Sequence, residues 1–289
     1  MVERLPAAIG ILGGMGPWVD PLLLQKILRY QATRGMRRDQ DAIPLLLAQY
    51  PELIEDRTEY LASLGSGQPL ENPAVNVARV ARLLVAGGAC VLGIPCNTFH
   101  AAPIFSRFEE ELAGVAGVEI VHMIRATLAD IAARHPGAHR VGILSTNGTY
   151  LHRIYAASVA ERGREAVTLP YEPRAFPGAE QEARKAAIQE GRLAPLQNDV
   201  HHAITNTQWG VKSGSEARLG YPAAKAVLKA AARRLEELGA ELVILGCTEI
   251  PLALEQADVP EAPLCDPLDS LAKGLVEAYR AGRNWGIGV

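Results

Sequence analysis

The chain has 289 residues, enough for one large domain or two of ordinary size, and it is 48% hydrophobic and 21% charged. Its formal net charge of −3 argues against nucleic acid as the main partner, and no apolar run is long enough to span a bilayer. Four cysteines without a CxxC pair, and no Cys/His set at zinc spacing, argue against a disulfide scaffold and a metal site. No signal-peptide pattern precedes the first apolar run, where Glu3 and Pro6 stand, so a cytoplasmic location is expected. His201-His202 has no third ligand nearby in sequence and reads as a helix or surface pair. Arg34, Arg37 and Arg38, followed by Asp39 and Asp41, read as a solvated loop rather than an anion patch.

In chain order, Ala7 to Leu12 is a short buried-strand candidate ended by Gly13-Gly-Met-Gly16, with Pro17 suited to the first turn of a helix. Ala42 to Ala48 reads as a second strand, and Pro44 puts its start near a sheet edge. The apolar spacing of Val75, Ala78, Ala81, Leu84 and Val85 predicts a helix over 72–85. Cys90 to Ile94 is the next strand and Ala101 to Leu112 the next helix.

After an apolar run at Glu119 to Ile124 the pattern starts again, with a helix over about 126–133. Arg140 to Leu144 is a strand ended by Ser145 to Thr149, a helix follows from Tyr150 to Gly163, and Ala166 to Leu169 is a strand. Pro222 to Leu238 is an amphipathic helix, Glu241 to Leu245 a strand and Pro263 to Cys265 a final short one. Strands alternating with such helices imply βαβ units with parallel sheets. The expected fold is α/β: two similar domains, parallel sheets flanked by helices, related by a pseudo-two-fold, with the site in the cleft between them. The expected division is 1–114 plus 265–289 and 115–264. Pro173 to Pro195 breaks the alternation and reads as an added surface helix or a flap beside the site.

Cys96 and Cys247 carry the strongest functional signal. Each ends an apolar run that follows Gly-Ala or Gly-Gly-Ala, and each is followed by Asn or Thr. Ligands of parallel sheets sit beyond the carboxyl ends of the strands. Thiols at matching positions of two similar halves suggest chemistry on two faces of one substrate. A helix start after each would favour the thiolate. Cys90 and Cys265, inside strands, read as inert small hydrophobes.

Gly14, Met15 and Gly16 could offer backbone N–H groups to an anion, although Val19 stands where a dinucleotide fingerprint needs glycine, and a plain tight turn is the alternative. Ser145 and Thr146 offer donors to a carboxylate at a second helix start. Asn97, Thr98 and Thr248 suit both caps and ligand contacts. Arg57, in a loop after the second strand, could clamp a carboxylate or pair with Asp56, and Lys212 could do the same.

Gly10 to Pro17, Pro95-Cys-Asn-Thr98 with His100, Leu245 to Pro251, and Asp266-Pro267 together resemble the aspartate/glutamate racemase family, and more closely its cofactor-independent aspartate racemase branch. The resemblance runs over nearly the whole chain. It implies racemisation without pyridoxal phosphate or any other cofactor. One cysteine takes the α-proton as thiolate, and the other returns a proton to the opposite face as thiol. It carries Gly14, Met15, Gly16, Arg57, Asn97, Thr98, Ser145, Thr146, Lys212, Thr248 and Glu249 over as substrate-binding residues. The partner implied is a small acidic amino acid, and the assembly a homodimer. The sequence departs from the family pattern at Phe99, where a small residue is usual, at Arg125, where Glu is common, and in the Pro173–Pro195 insertion.

The alternatives are a hydantoin racemase, a maleate isomerase, an arylmalonate-type decarboxylase, a broad-specificity or sulfonate amino-acid racemase, a non-catalytic acid-binding protein, and a thiol oxidoreductase. One catalytic cysteine suffices for such a decarboxylase, and binding alone needs no thiol.

Overall fold

The computed structural model describes residues 6–214, 221–259 and 261–282, so Glu3 lies outside the described residues. The first sheet begins with β1 (Ala8–Gly13), whose residues are all buried, as a parallel strand covered on both faces requires. The following helix α1 (Asp20–Thr33) turns Leu23, Ile27 and Gln31 inward at four-residue spacing, and Pro21 occupies its first turn. Pro17, expected there, instead lies in the preceding turn.

Among the described residues, strand β2 (Leu45–Gln49) pairs with β1 alone, at the sheet edge that Pro44 suggested. Helix α2 (Arg57–Ser63) starts at Arg57, which corrects the loop reading. Asp56 caps the helix by accepting from the N–H groups of Thr58 and Glu59 at 2.7 and 3.0 Å. Asn72 caps α3 (Pro73–Ala86), whose Ala74, Val77, Ala78, Ala81 and Leu84 are buried on one face.

Strand β3 (Ala89–Gly93) leads to α4 (Ala102–Leu112), then β4 (Glu119–Val121) and α5 (Met123–Arg134). The apolar run at Glu119 to Ile124 is split between β4, which ends at Val121, and α5, which starts before the expected 126. The Met123 N–H is taken by the His100 ring at 3.2 Å rather than by a ladder partner, and a helix begins there. All pairings are parallel, in the order β2-β1-β3-β4.

The second sheet starts with β5 (Arg140–Ser145), followed by α6 (Asn147–Leu151) and α7 (Ile154–Ala160). One helix was expected over 150–163. Arg153 adopts a left-handed conformation (φ 50°) and splits it. A non-glycine residue there costs about 1–2 kcal/mol. Burial of Ile154, Tyr155 and Val159 beyond the break offsets this, at about 1.5–3 kcal/mol per large apolar side chain.

Strand β6 (Glu165–Val167) is followed by α8 (Gly178–Gln189), which falls in the expected insertion. It packs on α9 (Gln197–Thr205) and α10 (Pro222–Glu237), with Ile188 in the core, so it is an added packed helix. The sequence pattern had not suggested α9. Strands β7 (Leu242–Gly246) and β8 (Leu264–Cys265) complete a parallel sheet of order β6-β5-β7-β8. Helix α11 (Pro267–Ala281) returns to the first core through Leu268, Leu271 and Leu275. Gly93 of β3 allows that approach: a Cβ there would stand 2.9 Å from Leu275.

The chain divides into Met1–Thr127 with Leu268–Val289, and Leu128–Pro267. The expected break at 114/115 would assign β4 to the second domain, but β4 pairs with β3 and belongs to the first sheet. Each unit has its own core: Ile9, Ile11, Val91 and Leu275 among others in the first, Leu144, Val227, Leu228 and Val243 among others in the second.

Candidate functional site

In the first unit, two loops leave the carboxyl ends of β1 and β3. The β1 loop turns at Gly14 (φ +90°), whose N–H donates to Asp20 Oδ2 at 2.8 Å. Asp20 is fully buried and also accepts from Gln49 Nε2 at 2.5 Å. A Cβ on Gly13 would stand 2.1 Å from the same carboxylate oxygen, so only glycine lets Asp20 lie against this turn. The Gly14 N–H, expected to face an anion, is therefore bound inside the protein. Met15 is buried and Gly16 half-buried.

The β3 loop carries Cys96, which is 5% exposed, with Asn97 and Thr98 also buried. A 3-10 turn, Thr98–His100, separates it from α4, so Cys96 does not stand at the start of an α-helix as expected. Asn97 sits at the N-cap of that turn without a side-chain capping bond. His100 braces the loop. Its Nε2 accepts the Met123 N–H, so the ring proton is on Nδ1, which donates to the Cys96 carbonyl at 2.9 Å.

Burial, with His122 next to it, holds His100 down to about 3, so it stays a neutral brace. His122 is held to about 4 by burial and then by Arg125, and its ring centroid is 4.6 Å from that of His100. Phe99 is fully buried against Phe108, with ring centroids 5.5 Å apart, so it points into the core. Arg57 is buried at the start of α2 and donates to the Glu55 carbonyl at 3.2 Å, with Asp56 at 4.0 Å.

In the second unit the corresponding loops leave β5 and β7, and the register sets Ser145 opposite Gly246, the residue before Cys247. Cys247 is buried and donates its S–H to Glu249 Oε2 at 3.0 Å. The same oxygen accepts from Thr248 Oγ1 at 3.1 Å, and Lys212 Nζ stands 3.3 Å from Glu249 Oε1. Glu249 is 1% exposed, so this ion pair is shielded and the carboxylate is not turned to solvent.

Burial, then the negative charge of Glu249, pushes the Cys247 thiol well above its ordinary range, with Lys212 acting in the opposite sense. This corrects the expected helix-start activation. Only a three-residue 3-10 turn, Ile250–Leu252, follows Cys247, and the nearest charge is negative. Cys247 rests as a thiol.

Ser145 and Thr146 are buried at the end of β5. The helix they were expected to start, α6, has five residues, and Thr146 makes no side-chain capping bond to it. Gln197 and His201 of α9 reach this turn, a contact no local pattern signals because the bonded residues are 52 and 54 positions apart in the chain. Cys90 and Cys265 are buried strand residues whose thiols burial raises, Cys265 to about 11.

A family model described as Asp/Glu/Hydantoin racemase matches residues 12–206. Among solved structures, the aspartate racemase of Picrophilus torridus aligns with 94% of this chain and 94% of its own, at 22% identity and a TM-score of 0.68. Glutamate racemase from Francisella tularensis subsp. tularensis SCHU S4, in complex with D-glutamate, aligns with 96% of this chain and 82% of its own, at 16% identity and a TM-score of 0.57. These likenesses show the two-domain Asp/Glu racemase fold. An uncharacterized protein in the pnlA 3' region of Pectobacterium carotovorum subsp. carotovorum is 29% identical over 163 residues, 56% of this chain and 85% of its own.

Proposed function

The chain belongs to the Asp/Glu/hydantoin racemase family, and we propose that it interconverts the enantiomers of an acidic amino acid, aspartate before glutamate, by proton transfer between Cys96 and Cys247 without pyridoxal phosphate. One observation carries this reading: the two sheets have the same strand order, and each cysteine follows the third strand of its own unit. Inverting a carbon by deprotonation needs a base and an acid on opposite sides, and each positioned proton transfer contributes about 10²–10⁴ in rate.

Cys247 enters as the acid, since its proton is held on sulfur by burial and by the Glu249 carboxylate. In the reverse direction Cys247 must act as base, and Lys212, paired with Glu249, limits the negative charge that then gathers there. Glu249 thus acts on Cys247 rather than on substrate. Carboxylate recognition falls to Arg57 and Lys212, with Asn97, Thr98, Ser145, Thr146 and Thr248 as hydrogen-bonding groups and Met15 and Gly16 as backbone donors. The assembly is a homodimer and the location cytoplasmic under the same proposal.

The test is incubation of the pure protein, without added cofactor, with each enantiomer of aspartate and glutamate in deuterated water. Loss of optical rotation together with α-deuteration is expected from both enantiomers of one acid. Deuteration without racemisation, or no reaction until pyridoxal phosphate is supplied, would remove the two-thiol reading.

A further inference from the structure

The proposed proton transfer leaves α8 and the start of α9 without a role, yet α9 reaches the turn beside Cys247 and α8 packs on α9. Gln197, the first residue of α9, is fully buried. Its Nε2 donates to the Ser145 carbonyl at 2.7 Å and to Asn147 Oδ1 at 3.3 Å. Because one acceptor is a backbone carbonyl, the amide orientation is set by the contact. One turn further along α9, His201 Nδ1 accepts the Asn147 N–H at 3.4 Å. Helix α9 therefore holds both ends of the Ser145–Asn147 turn. The Ser145 hydroxyl is buried and makes no hydrogen bond among the described residues, so that side chain does not anchor its own turn.

The start of α9 is fixed in turn by α8. Asp199 accepts the Leu196 N–H at 2.8 Å, and Arg184 of α8 meets both its oxygens, Nε to Oδ1 at 2.7 Å and Nη2 to Oδ2 at 2.6 Å. The two side chains are 13% and 5% exposed, and the guanidinium lies 4.6 Å from the Phe176 ring centroid. A bidentate pair this shielded holds orientation as well as distance.

We propose that Gln197 is the positioning residue for the Ser145–Asn147 turn beside Cys247, and that the inserted helix α8 holds Gln197 in place through the Arg184–Asp199 pair. The consequence for substrate rests on the racemase reading, in which Ser145 and Thr146 contact the amino acid. The consequence for the turn does not.

Amide hydrogen exchange tests the turn directly. In Arg184→Ala and in the isosteric Gln197→Glu, exchange at residues 146–149 is expected to quicken roughly tenfold while β7 stays protected, as local opening requires. The double variant should exchange no faster than either single one, because both act along one path. Arg184→Lys, which keeps the charge but loses the fork, should fall between Arg184→Ala and the parent chain.

Unchanged exchange at 146–149 in folded Arg184→Ala, additive effects in the double variant, or an equal loss of protection throughout the second unit would each overturn the proposal. In the kinetic arm, KM for the acidic amino acid is expected to rise about tenfold in both variants with kcat within about twofold, the pattern of lost uniform binding. A fall confined to kcat would overturn it. Wild-type protein that fails to racemise, with the exchange result intact, would sink the racemase reading and leave the positioning role standing.

Discussion

The two cysteine loops occupy matching places in sheets of the same strand order, yet their surroundings differ in kind. Around Cys96 the brace is a neutral histidine bonded to the backbone carbonyl, and the packing beside it is aromatic, from Phe99, Phe105 and Phe108. Around Cys247 the contact is to the sulfur itself, from a buried carboxylate that is paired with a lysine. One loop is held in shape, and the other is held in a protonation state. The repeated fold supplies two equivalent positions for a thiol. The side chains brought in from elsewhere make the positions unequal.

Removing either thiol should cost most. Cys96→Ala and Cys247→Ala are each expected to lower racemisation by at least about 10³-fold, measured by optical rotation. A Cys247→Ala protein that racemised at the parent rate would end the comparison, because only one loop would then matter.

Glu249→Gln comes next. It removes a charge that holds the Cys247 proton, so alkylation of Cys247, followed by peptide mass spectrometry, should move to lower pH while that of Cys96 keeps its profile. Racemisation should fall by about 10–100-fold, since loss of a hydrogen bond to a charged group is worth about 1.5–3 kcal/mol. Equal shifts at both cysteines would mean that the loops are not electrostatically separate.

The histidines test the Cys96 side. His100 is held to about 3 and His122 to about 4, against an ordinary value of 6.5. Below pH 6.5 the unfolded chain takes up protons that the native chain does not. Stability should therefore fall as the pH drops from 6.5 toward 4, by up to about 1.4 kcal/mol per pH unit for each histidine, and neither contributes above that window. Urea melts across this range should show the slope, and His122→Asn should remove about one proton from it. An unchanged slope would mean that His122 titrates normally in the native state. Arg125→Glu should have the smallest effect. The side chain is exposed, and a surface change of this kind stays within about 0.5 kcal/mol, so the preference between aspartate and glutamate should hold to within about twofold. A larger change would make Arg125 a specificity residue.

Much of this molecule was legible in the chain. The continuous apolar runs of β1, β3, β5 and β7 announced buried parallel strands, and the spacing in α3 and α10 announced their inward faces. What was missed has a common cause. The Arg153 break in the 150–163 helix and the start of α5 at Met123 depend on where the core and His100 stand, not on local spacing. Helix α9 escaped notice because Gln197, Asn198 and Asp199 are buried polar residues whose partners come from the end of β5, the loop after β6 and α8. Phe99, a departure from the family pattern, went to the core, where Phe108 offers it an edge-to-face contact.

The sequence by itself determined the alternation of strands and helices, the repeat that sets a cysteine at the end of the third strand of each sheet, and the resemblance to the racemase family. These follow from local period and short motifs, which burial of apolar surface reads in order along the chain. The tertiary structure decided which polar groups meet. It gave the Gly14 N–H to Asp20 rather than to an outside anion, turned Glu249 and Lys212 toward each other, and raised the Cys247 thiol instead of lowering it. The reason is physical. A hydrogen bond or ion pair depends on angstrom-scale approach between groups far apart in sequence, such as Gln197 and Ser145 at a separation of 52 residues, and no local pattern encodes that distance.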